Sequence, residues 1–339
     1  MPKMNYEVNI MEKTLNLKIP IGTELDFHND KIIEITINFL HNIIDEEIEL
    51  VYSYENNKVI CSFTLNEFVS KYINRINYER NFDIVQYVLN NKDNEGDVEQ
   101  ADRTICIDLT LQSNLATNFN NSYIALSLLH MFFIVNISLP GLVDLKKDNF
   151  TPTPLHAISL GEAWTFNNEL GLELINFIEL SSTVKWFNSL NLNTKQIATN
   201  NTERAIFAIF HIVDSFHLSS SSVLWISQAL ESLYDVPKGL ILNTLVNRII
   251  LFLEIPNDKQ KITKKALNMF YEYRSRFVHG DLNISLPLNN DILDDNFDSY
   301  FDDLLNILRI GLFFLVATFQ KMIRDDIKEI KFKEINISK

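Results

Sequence analysis

Ten consecutive residues, Tyr271-Glu272-Tyr273-Arg274-Ser275-Arg276-Phe277-Val278-His279-Gly280, concentrate the groups in this chain that could do chemistry. Placed on a helix, Tyr271, Ser275 and Val278 fall at i, i+4 and i+7 along one face. Arg274 lies beside them and His279 comes one turn beyond Ser275. Gly280 suits the left-handed cap that ends a helix. His279 would then stand at the negative end of the helix dipole, a setting that suits a proton-donating imidazole. Breaking an RNA phosphodiester without a metal needs a base for the 2′-hydroxyl proton, an acid for the departing oxygen and a cation for the charge that builds on the phosphate. Histidine and arginine supply those roles. With one histidine in the segment, a two-fold dimer that brings two Arg274 and two His279 together would separate the acid from the base.

The elements that must position this segment are helical. From residue 202 onward the apolar period predicts helices over 202–217, 219–234 (with Ser219 to Ser222 as hydroxyl N-caps), 237–253, 262–279 and 297–323, an all-α bundle. On the third of these, Arg248 lies in the stripe Ile241, Leu245, Arg248 and Phe252, so its head should be buried and in need of an anion. Glu231 is the obvious partner. Such a pair would fix the packing of two helices, although a catalytic role for it stays open. Glu272, four residues before Arg276, has the favourable order for a surface ion pair, which would occupy Arg276. Between Asp258 and Gly280, Lys259, Lys261, Lys264, Lys265, Arg274 and Arg276 stand against Asp258 and Glu272, a local balance of +4. Lys261, Lys264 and Lys265 are candidate RNA contacts, the plain alternative being a solvated lysine face at a helix start.

The run Tyr271-x-x-Arg274-Ser275-x-x-Val278-His279-Gly280 resembles the Arg-x(4 to 6)-His motif of HEPN domains, in the Arg-Ser-x-x-Val-His-Gly form of the Apea-like group. Ala229-Leu230-Glu231-Ser232-Leu233-Tyr234 and Arg248 are similar to that group's other marks, a glutamate in an Ala-Leu-Glu helix and an arginine on the next. The resemblance covers about residues 200 to 325. It implies an endoribonuclease that cuts without metal or cofactor, leaves a cyclic phosphate and works as a homodimer through facing motif helices. It assigns Arg274 and His279 as catalytic, with Ser275, Tyr271 and Gly280 in support. It further implies a toxin or abortive-infection effector of bacterial antiphage defence, whose first half senses a phage or cellular trigger or restrains the nuclease. The alternative is a non-catalytic HEPN module that binds RNA or a protein partner.

Composition narrows the remaining choices. A chain of 339 residues, 46% hydrophobic and 22% charged, is long enough for two folded domains. Its net charge of −14 argues against a coat for long nucleic acids, so an RNA site must be local. Cys61 and Cys106 make neither a disulfide framework nor a zinc set, and the first ten residues carry no basic-then-apolar leader, so a cytoplasmic protein is expected. The apolar run 123–143 has the length of a membrane span, but His130, Asn136, Pro140 and Gly141 interrupt it, and a buried helix is expected instead.

The fold class expected is an α+β N-terminal domain over 1–150, a connecting region over 151–195, and an all-α HEPN-type helical bundle over 196–330. In the first half, 31–44 and 66–89 read as helices, 50–64 as a hairpin around Asn56-Asn57 and 104–111 as a strand. Residues 161–190 read as a further strand and helix. His211 and His217 have no metal-binding spacing, and the acidic run Asp291, Asp294, Asp295, Asp298, Asp302 and Asp303 lacks the order of a calcium loop, so no metal site is expected. Phosphate-loop and serine-elbow motifs are absent.

Overall fold

The computed structural model describes residues 13–20, 47–51, 58–65, 106–113, 121–138, 158–214, 219–237, 241–285 and 295–332. The chain divides into two compact units whose segments interleave. One holds Met1–Val135, Leu142–Leu155 and Glu179–Lys195, and the other Asn136–Gly141, His156–Ile178 and Gln196–Lys339.

In the first unit, strands β1 (Lys13–Pro20), β2 (Glu47–Val51), β3 (Lys58–Leu65) and β4 (Cys106–Ser113) form one antiparallel sheet of order β1-β4-β3-β2. The register sets Leu17 opposite Leu109 and Leu109 opposite Phe63. The helices expected at 31–44 and 66–89 lie outside the described residues. Helix α1 (Asn121–Ser138) is buried from Met131 to Ser138 on every side, as its mostly apolar run suits, with the polar Asn136 and Ser138 buried among the rest. Its His130 is buried against the edge of Phe187, 5.0 Å between ring centroids, and burial pulls its pKa down to about 3. No helix among the described residues is long and apolar enough to cross a membrane.

The stretch expected to open with a strand holds two helices instead, α2 (Ile158–Leu170) and α3 (Leu180–Ser189). Between them the chain is irregular. Ile178 N donates to the Ser138 carbonyl at 3.1 Å, and other backbone groups bond side chains: Asn167 takes the Ile175 N–H at 3.0 Å and gives its amide to the Ile175 carbonyl at 3.3 Å. Gln320 accepts from Asn176 N at 2.9 Å while donating to the Ile137 carbonyl at 2.9 Å. A strand needs a partner edge for its backbone groups, and this stretch satisfies them otherwise.

The described part of the chain from α1 onward is all-helical, with α4 (Asn201–Val213), α5 (Ser220–Leu233), α6 (Ile241–Phe252), α7 (Gln260–His279) and α8 (Asp295–Arg324) completing it. Helix α4 begins at a side-chain cap. The Asn200 side chain accepts the Glu203 N–H at 2.9 Å, and Glu203 answers by accepting from Thr199 N at 2.7 Å. The long α8 is the spine of the second unit, buried continuously from Ile310 to Gln320, with α2, α5 and α7 packed on it. Gly311 makes this possible. A Cβ there would come 2.4 Å from the Phe270 ring of α7 and 2.7 Å from Ile226 of α5, so three helices converge on one missing side chain.

Candidate active site on helix α7

Helix α7 buries Thr263, Ala266, Leu267, Phe270, Tyr271 and Tyr273 and leaves the opposite face in water. It stops at Gly280, which takes φ 79° and ψ 15°, the left-handed conformation a glycine adopts without strain. Asp281 N donates to the Arg276 carbonyl at 2.9 Å and Gly280 N to the Phe277 carbonyl at 3.3 Å, the two bonds of a Schellman cap. His279 is therefore the last helical residue, exposed, with its ring on a firmly ended turn. A Cβ on Gly280 would meet nothing within 4 Å. We expect Gly280→Ala to lose about 1 kcal/mol in urea unfolding, all of it backbone strain, and Gly280→Asn to lose less.

Two tyrosines hold α7 to α5. Tyr271 and Tyr273 lie on the two flanks of the buried face of α7 and reach opposite ends of α5. The Tyr271 hydroxyl donates to Glu231 Oε1 at 3.3 Å, near the end of α5. The Tyr273 hydroxyl meets Ser220 Oγ at 3.0 Å, at its start, where Tyr300 of α8 also reaches Ser220 at 2.8 Å. Burial, and then the neighbouring Tyr300 and Asp303, push the Tyr273 pKa up to about 12. Burial and the Glu231 carboxylate raise Tyr271 well above the ordinary phenol range.

Arg274, half-buried, completes the group: its Nη2 lies 3.9 Å from Glu231 Oε1, a loose ion pair. Its Nε is buried and has no hydrogen-bond partner. Glu231 thus belongs to Tyr271 and Arg274. The expected Glu231–Arg248 pair does not form. Arg248 Nη1 instead donates to the carbonyls of Tyr234, at 2.6 Å, and Asp235, with its guanidinium 4.6 Å from the centroid of the Phe332 ring. The anion it needed is the negative end of α5, whose last carbonyls lack helical donors. Ser275 is exposed, as are Lys261, Lys264 and Lys265. The expected Glu272–Arg276 ion pair is also absent among the described residues, because both side chains extend into water where such a pair gains little.

Burial raises the Glu231 carboxyl pKa above its usual 4.5, outweighing Arg274 and Tyr271, which lower it. A carboxyl with a raised folded-state pKa gives stability that is complete below the unfolded value and fades as pH climbs through the folded one. Glu231→Gln cannot ionise and escapes that loss. Its melting temperature relative to wild type should therefore rise from pH 4 to pH 7, and a pH-independent difference would refute the burial argument.

The arrangement offers a half-buried cation and an exposed imidazole, separated along the axis by about 7.5 Å at 1.5 Å per residue. A phosphodiester laid over the end of α7 could meet both. Among the described residues no group of three or more His, Cys, Asp or Glu side chains is placed to hold a metal ion. Sequence reasoning missed the Ser220, Tyr273 and Tyr300 hydroxyl cluster, for which the Tyr-x-Tyr spacing was the available signal. Comparison with protein-family models, with curated proteins and with solved structures found no match to this chain.

Proposed function

We propose that this chain is a metal-independent endoribonuclease of the HEPN type. The observation that carries the reading is the end of α7: Arg274 oriented by Glu231, and five residues on, an exposed His279 on a Schellman-capped turn. One imidazole removes the 2′-hydroxyl proton, the 2′-oxygen attacks phosphorus, and the bond to the 5′-oxygen breaks. A second imidazolium protonates that oxygen, and Arg274 balances the charge gathered on the phosphoryl oxygens. The products are a 2′,3′-cyclic phosphate and a 5′-hydroxyl. Each chain brings one His279, so the active species is a homodimer in which two α7 ends meet. Val278, 50% exposed, and Ile284, 70% exposed, provide apolar surface beside His279 for that meeting.

Following the motif's resemblance, the protein acts in the bacterial cytoplasm as an RNA-cleaving toxin or abortive-infection effector, with residues 1–150 sensing the phage or cellular trigger. The second reading, a non-catalytic HEPN module that binds RNA or a protein, is favoured by the engagement of Arg274 with Glu231, which would then serve only to lock two helices. Incubation of the purified chain with total cellular RNA in EDTA, followed by end-group analysis, separates them. Fragments with 2′,3′-cyclic phosphate ends are expected. No cleavage in vitro, together with no growth arrest on expression, would leave the binding module.

A further inference from the structure

The exposed face of α7 carries more polar residues than Arg274 and His279. Lys261, Lys265, Asn268, Glu272, Arg276 and His279 follow one another at spacings of three and four, all exposed, with Lys264 and Ser275 alongside. From Lys261 to His279 this face runs about 27 Å. Among the described residues neither Lys261, Lys264, Lys265 nor Arg276 has an ion-pair partner. Lys259, by contrast, is occupied at the Leu170 carbonyl, 3.4 Å away. Four cations with no ion-pair partner among the described residues, on one face of one helix, are unexpected in a chain of net charge −14. Along one flank of that row Ile262 and Met269 are 44% and 45% exposed.

We propose that this face is a track for single-stranded RNA, with Lys261, Lys264, Lys265 and Arg276 holding phosphates and Ile262 and Met269 meeting unstacked bases. It rests on the endoribonuclease reading in one respect, that the strand ends at His279. Charge complementarity selects a polyanion. A second copy of α7 laid along the same face would bring like charges together, which is costly. The apolar residues beside the cations select a single strand, because a duplex hides its bases and presents phosphates and 2′-hydroxyls instead. Glu272 stands within the track as its one opposing charge, so its removal should tighten binding.

The test uses the full chain and a 2′-O-methyl oligoribonucleotide of about a dozen residues, which lacks the attacking hydroxyl and stays whole during anisotropy measurements. Substituting Lys261→Gln, Lys264→Gln and Lys265→Gln together should weaken binding about tenfold or more at low salt. The slope of log affinity against log salt should become shallower by about two, at roughly 0.7 per lost phosphate contact on a single strand. Glu272→Gln should bind more tightly, and a duplex of the same sequence more weakly than the single strand. Unchanged affinity and slope in the triple variant, or a preference for the duplex, overturns the track. So does a dimer that dissociates on lysine substitution, which would give this face to a second copy. Wild type that binds the strand but cleaves no RNA defeats the nuclease reading alone. Wild type that cleaves, with KM unchanged in the triple variant, defeats the track alone.

Discussion

His279→Ala should lower RNA cleavage in EDTA by about 10²- to 10⁴-fold, the usual worth of a positioned acid or base, while the melting temperature stays where it was. The two halves of this expectation have separate grounds. The imidazole is exposed, and the cap that ends α7 is made by the backbone of Gly280 and Asp281 with the carbonyls of Phe277 and Arg276, not by the ring. Removing it costs the fold little. Arg274→Ala should abolish cleavage to a similar degree but should also destabilise, because Glu231 would keep a half-buried carboxylate with only Tyr271 to bond it. Arg274→Lys should not restore activity, since a point charge on a flexible stem does not replace a planar fork that meets Glu231 and a phosphate together. Activity of His279→Ala equal to wild type would remove the enzyme reading.

The largest effect on stability should come from a methyl group. Gly311→Ala is expected to cost about 1–3 kcal/mol in urea unfolding, the range for forcing an extra carbon into a packed core. Helix propensity runs the other way, since alanine in a helix interior outranks glycine by about 1 kcal/mol. The net loss would therefore report the 2.4 Å approach to Phe270 and the 2.7 Å approach to Ile226. Neither neighbour is a flexible chain end. Phe270 precedes Tyr271, so relief by movement of α7 would draw Tyr271 and Arg274 away from Glu231. Activity should fall along with stability, and the pair Gly311→Ala with Phe270→Leu should recover part of both. A more stable Gly311→Ala would mean that the three helices are not in contact there.

How much of this was legible beforehand depends on the range of the interaction involved. The helix expected over 262–279 is observed as Gln260–His279, and its glycine stop lies at Gly280 as the pattern indicates. The helix expected over 219–234 is observed as Ser220–Leu233. Periodicity, N-caps and C′ glycines act within a turn or two, so a single sequence carries them in full. The strand expected within 161–190 is absent, helix and irregular chain standing there instead, because a strand exists only with a partner edge. There the chain found Asn167 and Gln320 instead.

The sequence by itself determined that Tyr271, Arg274, Ser275 and His279 share one end of one helix, and that Gly280 ends it, because 3.6 residues per turn and the freedom of glycine at positive φ leave no other arrangement. Only the tertiary structure decided which charge answers which. Arg248 sits in an apolar stripe and needed an acceptor, and it donates to a pair of backbone carbonyls at the end of α5, a choice the sequence cannot mark because every residue has a carbonyl. Glu231 was thereby released to Tyr271 and Arg274 on another helix, a choice set by the crossing of α5 and α7 over Gly311.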